Sequence, residues 1–227
     1  QIALDNPTDE KVLNDLAEGY LSLGQKQNYE FREFRSSIEN QKKSVEIRRK
    51  LLEKNPNSTE AKLKLVNSLA FLGDVYFGFG DKENMFLCLD EQEKIRRELY
   101  TADSENFDIL NGLNVFLSGR ADIANSFHQE AERQKYLTES LNLTNESIRR
   151  YEAKDLTAAE MKEFAYIISN KANILKDLGN LDEALVYHDK AFEIAKKSFE
   201  MDVNQNLAFN LTVRSPRFNA DIFRERK

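Results

Sequence analysis

Few side chains in this sequence could carry out chemistry unaided. The chain has one cysteine, Cys88, and two histidines, His128 and His188. Cys88 lies on the apolar stripe of a predicted helix, so we expect a small buried residue and not a nucleophile. No grouping of histidine, cysteine or carboxylate residues has the spacing of a metal site. The sequence therefore predicts no catalytic residue, no metal and no cofactor, and we do not expect an enzyme.

Two motifs with anion-binding chemistry have simpler structural explanations. Gly78 and Gly80 form a Gly-x-Gly, but this motif closes a predicted helical hairpin and follows no strand, unlike a phosphate loop. The Ile-Arg-Arg triplets at 47–49 and 95–97 lie among glutamates, and ion pairs along a helix explain them. The net charge of -6 disfavours nucleic acid. No apolar run approaches the ~20 residues of a membrane span.

The elements that would position a binding site belong to an internal repeat. The segment IRRKLLEKNPN at 47–57 returns 48 residues later as IRRELYTADSE at 95–105. Similarity at such a period is typical of solenoids, whose units bury their apolar faces against their neighbours. Helix-forming residues dominate, and the chain has only 8 glycines and 3 prolines. We therefore expect an all-α repeat protein.

The apolar spacing predicts four helical hairpins, and Gly24, Gly80 and Gly179 are expected to end the first helix of three of them. Residues 202–227 contain Pro216 and several arginines, and we expect a C-terminal cap or tail there. The residues before the first helix resemble the end of a repeat, so we expect a further helix upstream. The predicted hairpins cover residues 8–54, 58–101, 105–152 and 157–201, within one repeat domain at 1–201.

The pattern resembles the tetratricopeptide repeat (TPR), in which a large residue, a Leu-Gly or Leu-Ala pair, an aromatic residue and a turn glycine recur. The second hairpin supplies Leu69, Leu72, Gly73, Tyr76 and Gly80. The spacing departs from the family, with about 48–56 residues in place of about 34. The third hairpin is divergent at Arg120 and Ala124. Further matches are Leu13, Leu16, Ala17, Tyr20 and Gly24 in the first hairpin, and Ala172, Gly179, Ala184 and Ala191 in the fourth.

The resemblance implies a right-handed α-solenoid of about four hairpins, whose first helices line a concave groove that binds proteins or peptides. Asparagine amides in such a groove can donate to and accept from a peptide backbone, and its acids would favour a partner with basic residues. The alternative is that these residues are ordinary solvated helix surface. The candidate binding residues are Asn14, Glu18, Asn67, Asp74, Phe77, Asp122, Asn125, Tyr166, Asn173 and Asp177, with Leu21, Ala70, Ser118, Ser169 and Lys176 on the same predicted face.

The function that this resemblance implies is that of a scaffold or sensor module. One alternative is a regulatory domain of a larger protease, kinase or NTPase, whose catalytic part lies outside this sequence. Others are a receptor for a signalling peptide or small ligand, and a self-assembling structural module. The single cysteine fits a reducing compartment, so we expect a cytoplasmic protein. The sequence begins at Gln1, which leaves a signal peptide open.

Overall fold

The structure is a computed structural model that describes residues 9–201. It contains eight α-helices in this range, and no strand occurs there. The predicted all-α class is confirmed. The helices are α1 (Glu10–Tyr29), α2 (Phe34–Lys54), α3 (Thr59–Phe79), α4 (Lys82–Ala102), α5 (Phe107–Ser126), α6 (Glu130–Glu152), α7 (Ala158–Asp177) and α8 (Leu181–Met201).

The chain divides into two compact units, Gln1–Ser104 and Glu105–Lys227, which we call the amino-terminal and carboxy-terminal units. In the amino-terminal unit α1 pairs with α2, α3 pairs with α4, and α2 packs on α3. In the carboxy-terminal unit α5 pairs with α6, α7 pairs with α8, and α6 packs on α7. Each unit thus has the stacked hairpins of an α-solenoid, as predicted. The handedness and the single domain at 1–201 stay predictions, and the expected cap at 202–227 lies outside the described residues.

Most of the helices begin where a short polar side chain caps the free amide groups of the first turn. Asp9 accepts from the amides of Lys11 and Val12, and Thr157 forms a reciprocal capping box with Glu160. The Asn6-Pro7 pair, which from the sequence predicts the start of the first helix, lies outside the described residues. The remaining side-chain caps are Ser58, Asp81 and Asn106.

Left-handed backbone closes all four hairpin turns, but only two of them use glycine. Gly80 and Gly179 have φ angles of 86° and 83°, which confirms both as turn residues. The other two turns place Arg32 and His128 at φ angles of 59° and 57°. The prediction that Gly24 ends the first helix is wrong, because α1 continues five residues further, to Tyr29.

Gly24 lies instead where α1 and α2 approach closely. Its carbonyl oxygen accepts a 2.7 Å hydrogen bond from the Ser37 hydroxyl. A Cβ atom at this position would lie 2.8 Å from Nε2 and 2.9 Å from Cγ of Gln41, a side chain that is fully buried. Glycine is therefore required here by the neighbouring helix and not by a turn.

The buried face of α2 is largely polar, whereas the buried face of α3 is rich in leucine. Ser37, Gln41, Ser44 and Arg48 recur every three or four residues, and each is at least 97% buried. The Ser44 hydroxyl lies 3.0 Å from that of Ser68 on α3. Small hydroxyl residues let the helices approach closely while keeping their polar atoms paired.

A second buried polar network joins α5 to α6. The Asn114 amide donates to the Thr144 hydroxyl at 2.9 Å and accepts from the Ser140 hydroxyl at 2.5 Å. The Ser140 hydroxyl also lies 2.9 Å from that of Ser118. Asn114, Ser140 and Thr144 are all buried, so the network holds the two helices in one alignment.

Candidate partner-binding surface

Three predicted binding residues occupy an exposed face of α3 in the amino-terminal unit. Asn67, Asp74 and Phe77 are all exposed, and spacings of seven and three residues place them along one side of the helix. The opposite side of the helix is buried and includes Leu69 and Leu72. The helix therefore has one side in the core and one side facing solvent. We call Asn67, Asp74 and Phe77, together with Tyr29, the α3 surface.

Tyr29, at the end of α1, completes this surface and was not among the predicted residues. Its phenol group interacts with the Asp74 carboxylate, which brings the end of α1 beside α3. The sequence carried one signal for it: an aromatic residue in a stretch of polar residues with no apolar partner at helical spacing. Because the sequence prediction ended the first helix at Gly24, it did not place Tyr29 on that helix.

The Asp74 carboxyl lies in a partly desolvated position. Asp74 has exposed surface, yet the surrounding protein excludes enough water from its carboxyl to raise the pKa, and the hydrogen bond from Tyr29 opposes part of that rise. Burial, and then the Asp74 charge, raises the pKa of Tyr29. A carboxylate in such a position gains more from an approaching cation than a fully hydrated one does.

The α3 surface also exposes large aromatic side chains. Tyr29 is 58% exposed and Phe77 is 56% exposed. A single exposed apolar residue needs no explanation, but two rings flanking a carboxylate form a surface suited to a partner. Such rings are enriched among the residues that dominate interface energetics.

Asn14 and Glu18 on α1 are already bound by the protein. The buried Arg48 of α2 donates to the Asn14 carbonyl oxygen, and its second terminal nitrogen lies 3.1 Å from Glu18 Oε2. Lys64 also donates to Asn14, at 3.4 Å. Desolvation lowers the pKa of Arg48, and the Glu18 charge opposes this. Leu21, expected on the same face, is 2% exposed, so its assignment is wrong.

In the carboxy-terminal unit, the predicted residues fall into two groups. Asp177 is half-buried and lies 3.8 Å from Arg133, and Ser118 is held by Ser140. These two have partners within the protein. The exposed group consists of Asp122 and Asn125 on α5 and of Tyr166 and Asn173 on α7.

The cysteine and the second histidine, which could in principle carry out chemistry, have structural positions in the core. Cys88 is 5% exposed, which confirms its placement in the core. His188 is 6% exposed, and burial lowers its pKa, which favours the neutral form. Residues 9–201 hold no cluster of three or more metal-ligating side chains. No helix in the same range is long and apolar enough to cross a membrane.

The buried thiol leads to a testable prediction about reactivity. Burial raises the pKa of Cys88 to about 11, and the nearby Glu91 charge adds to this. Because the thiolate is the reactive form, alkylation by iodoacetamide at pH 8 should be about 100-fold slower in the native protein than in the urea-unfolded chain. Mass spectrometry of quenched samples measures both rates. Equal rates would contradict the buried position.

Comparison with known proteins shows that part of this chain is similar to a known family. A family model described as tetratricopeptide repeat matches residues 164–202, which include α8 and most of α7. The predicted TPR-like repeat is confirmed. In this segment Ala172, Ala184 and Ala191 are buried where the helices cross, and Gly179 forms the turn. No curated protein matches the chain.

Several solved structures are similar over most of their length. The DHF79 filament is 13% identical, with a TM-score of 0.34, and the match covers 94% of this chain and 99% of that one. BtubC from P. vanneervenii is 12% identical, with a TM-score of 0.33 and coverages of 95% and 92%. The de novo designed helical repeat protein DHR64 is 11% identical, with a TM-score of 0.31 and coverages of 96% and 96%. Similarities at this level carry no argument about function.

Proposed function

We propose that this protein is a protein-recognition module, and that the α3 surface binds a peptide segment with a lysine or arginine beside a bulky apolar residue. The observation that carries the proposal is the partly desolvated Asp74 carboxylate flanked by the exposed rings of Tyr29 and Phe77. We propose a binding role without catalysis. We also propose that the protein is cytoplasmic.

The chemistry of the α3 surface supports a basic and apolar ligand. A cation placed against Asp74 would replace the water that the carboxylate lacks. The apolar neighbour of that cation would cover the Phe77 ring, which would otherwise stay in contact with water. The Asn67 amide, seven residues before Asp74 on the same face, would donate to or accept from the peptide backbone.

The proposal predicts which peptides the protein selects and how they respond to substitution. A random phage-displayed library selected on the intact chain should enrich sequences with Lys or Arg next to Leu, Ile, Phe or Met. In calorimetric titration, Phe77→Ala should weaken an enriched peptide about 10-fold, since it removes an aromatic anchor. Asp74→Asn should weaken it about 3- to 5-fold, the effect of one exposed ion pair.

The control residues lie on the second helices of the hairpins. Leu87→Ala on α4 removes a side chain that is 61% exposed, and Glu39→Gln on α2 removes an exposed charge. Neither should change the affinity. Enrichment of acidic peptides, or equal affinities for the wild type and Phe77→Ala, would exclude the α3 surface.

The same titration has a pH dependence with a defined sign. A basic ligand needs Asp74 ionised, so affinity falls as the pH falls through the pKa of this carboxyl. Because that pKa is raised in the free protein, the decline should begin at a higher pH than for an ordinary aspartate. In the Asp74→Asn variant, the part of the pH dependence of affinity that is due to this carboxyl should disappear. Only the part due to other titrating groups should remain.

A further inference from the structure

A pocket of about 460 Å³ opens at one end of the carboxy-terminal unit. It lies where the start of α5, the end of α6 and the start of α7 meet, and this volume falls within the range of ligand-binding sites. Glu105 lines it from the turn before α5 and Phe107 from the first residue of α5, Arg150 and Tyr151 line it from α6, and Glu160 and Glu163 line it from α7. None of these residues belongs to the α3 surface, so the two sites stand independently.

Aromatic rings form the apolar part of the pocket. The Tyr151 ring meets the Phe107 ring edge to face, with centroids 5.4 Å apart. On its other side Tyr151 stacks on Phe164, with centroids 5.5 Å apart and ring planes nearly parallel. Tyr151 and Phe164 are buried in the core, so they hold this aromatic surface rigidly.

Two carboxylates on α7 face the aromatic surface. Glu160 and Glu163 are three residues apart and thus lie on the same side of the helix. The Tyr151 hydroxyl donates to Glu163 Oε2 at 2.8 Å, and Thr157 holds Glu160 through the helix cap. Within residues 9–201, no lysine or arginine forms an ion pair with either carboxylate.

The two basic residues of the pocket only partly offset its three glutamates, because Arg150 is paired with Glu146 and only the Lys154 charge acts on Glu160. Arg150 is engaged by the Glu146 carboxylate, donates to the Glu105 carbonyl oxygen at 3.0 Å and lies 3.7 Å from the Glu105 carboxylate. Lys154 is the other basic residue in the lining. Hydrogen bonds from Thr157 lower the pKa of Glu160, so this carboxylate is ionised at neutral pH.

We propose that this pocket binds the cationic end of an arginine or lysine side chain. The charged group would pair with Glu160 and Glu163, and the alkyl stem would pack on Phe107 and Tyr151. An ammonium or guanidinium near an aromatic ring gains a further attraction from the ring electrons. An anion is disfavoured, because both carboxylates face the pocket and Arg150 is already paired.

Two sources could supply this side chain. One is a partner protein. The other is the chain itself, because the Ser198 hydroxyl of α8 donates to the Ala158 carbonyl oxygen at 2.7 Å, so the last turns of α8 lie beside the start of α7. From there the sequence continues to five basic residues, Arg214, Arg217, Arg224, Arg226 and Lys227.

The test is a titration of the intact ¹⁵N-labelled chain with Nα-acetyl-arginine amide and Nα-acetyl-lysine amide, followed by NMR. We expect weak saturable binding that shifts the amide signals of Ala153 and Glu163, and Asp74→Asn, which removes the acid of the α3 surface, should leave these two shifts unchanged. Glu163→Gln should weaken binding about 3- to 5-fold, because its amide oxygen still accepts from Tyr151 and only the charge is lost. Glu193→Gln, an exposed substitution on α8, should have no effect.

A second chain, with Gln at positions 214, 217, 224, 226 and 227, separates the two sources. Binding of the probes to both chains supports a partner as the source. Binding only to the Gln-substituted chain supports occupation by the protein's own basic segment. Binding to neither chain, equal binding to Glu163→Gln, or a preference for Nα-acetyl-glutamate amide at the same signals would overturn the proposal. Matching spectra of the free variants would show that folding is unchanged.

Discussion

Gly24→Leu should destabilise the amino-terminal unit by about 3 kcal/mol, near the upper end of the usual cost of overpacking. A Cβ atom at this position already lies within 3.0 Å of three atoms of Gln41, and a leucine brings three more carbons into the same space. Gln41 is fully buried and has little room to move. The substitution should therefore push α1 and α2 apart and break the hydrogen bond from Ser37 to the Gly24 carbonyl oxygen.

Gly19 gives a matched control on the same helix. A Cβ atom there meets nothing within 4 Å, so Gly19→Leu should stabilise α1 by up to about 1 kcal/mol through helix propensity. The two substitutions are chemically identical and have opposite expected signs. Because the chain lacks tryptophan, urea unfolding followed by far-ultraviolet circular dichroism is the suitable measurement. Hydrogen exchange of the α1 and α2 amides would locate the effect.

A double substitution tests the proposed cause. Gln41→Ala removes the side chain that a larger residue 24 would strike, so Gly24→Leu with Gln41→Ala should regain about half of the lost stability. If the double variant is as unstable as the sum of the two single variants, the contact with Gln41 does not explain the requirement for glycine.

Asn114→Leu should destabilise the carboxy-terminal unit by about 2–4 kcal/mol, although leucine has the same branched shape and a better helix propensity. The substitution removes the amide that bonds to both Thr144 and Ser140. It leaves two buried hydroxyls with fewer partners, and an unpaired buried polar group costs about 1–3 kcal/mol. Exchange of the α5 and α6 amides should accelerate while the amino-terminal unit stays protected.

Asn142 on α6 provides the comparison for this substitution. It is exposed, so Asn142→Leu should change the free energy of unfolding by no more than about 0.5 kcal/mol. A similar small change for Asn114→Leu would show that leucine packing compensates for the lost hydrogen bonds, and that the network contributes alignment but little stability.

Apolar periodicity sufficed to predict the helices, because each helix presents its leucines and alanines at three- and four-residue spacing to a neighbour. Leu65, Leu69 and Leu72 on α3 are all buried, as that pattern requires. The turn glycines Gly80 and Gly179 were equally predictable from the sequence, since each directly follows an apolar residue at the end of its helix. Gly24 has a similar local sequence, and only the position of Gln41 on another helix distinguishes it.

The binding residues were less predictable, for a physical reason. Exposure of Asp74 and Phe77 follows from the helical phase, but the partner of a surface side chain depends on tertiary placement. Tyr29 reaches Asp74 only because α1 runs past Gly24. The pocket around Tyr151 joins three helix ends, so no local pattern marks it. Leu21 shows the converse, a residue in the expected phase that a neighbouring helix covers.

Hydroxyl and amide pairs, such as Ser44 with Ser68 and Ser140 with Asn114, fix which turn of one helix faces which turn of the next. Apolar interfaces tolerate sliding, whereas the Ser44–Ser68 pair ties the first hairpin to the second, and the Ser140–Asn114 pair ties the two helices of the third hairpin to each other. The first two hairpins are therefore poor candidates for recombination with foreign repeats. In a chimera that places one of them beside a foreign hairpin, the buried hydroxyl at the new junction would lose its hydrogen-bond partner. Such a chimera would need the matching serine in the foreign hairpin as well.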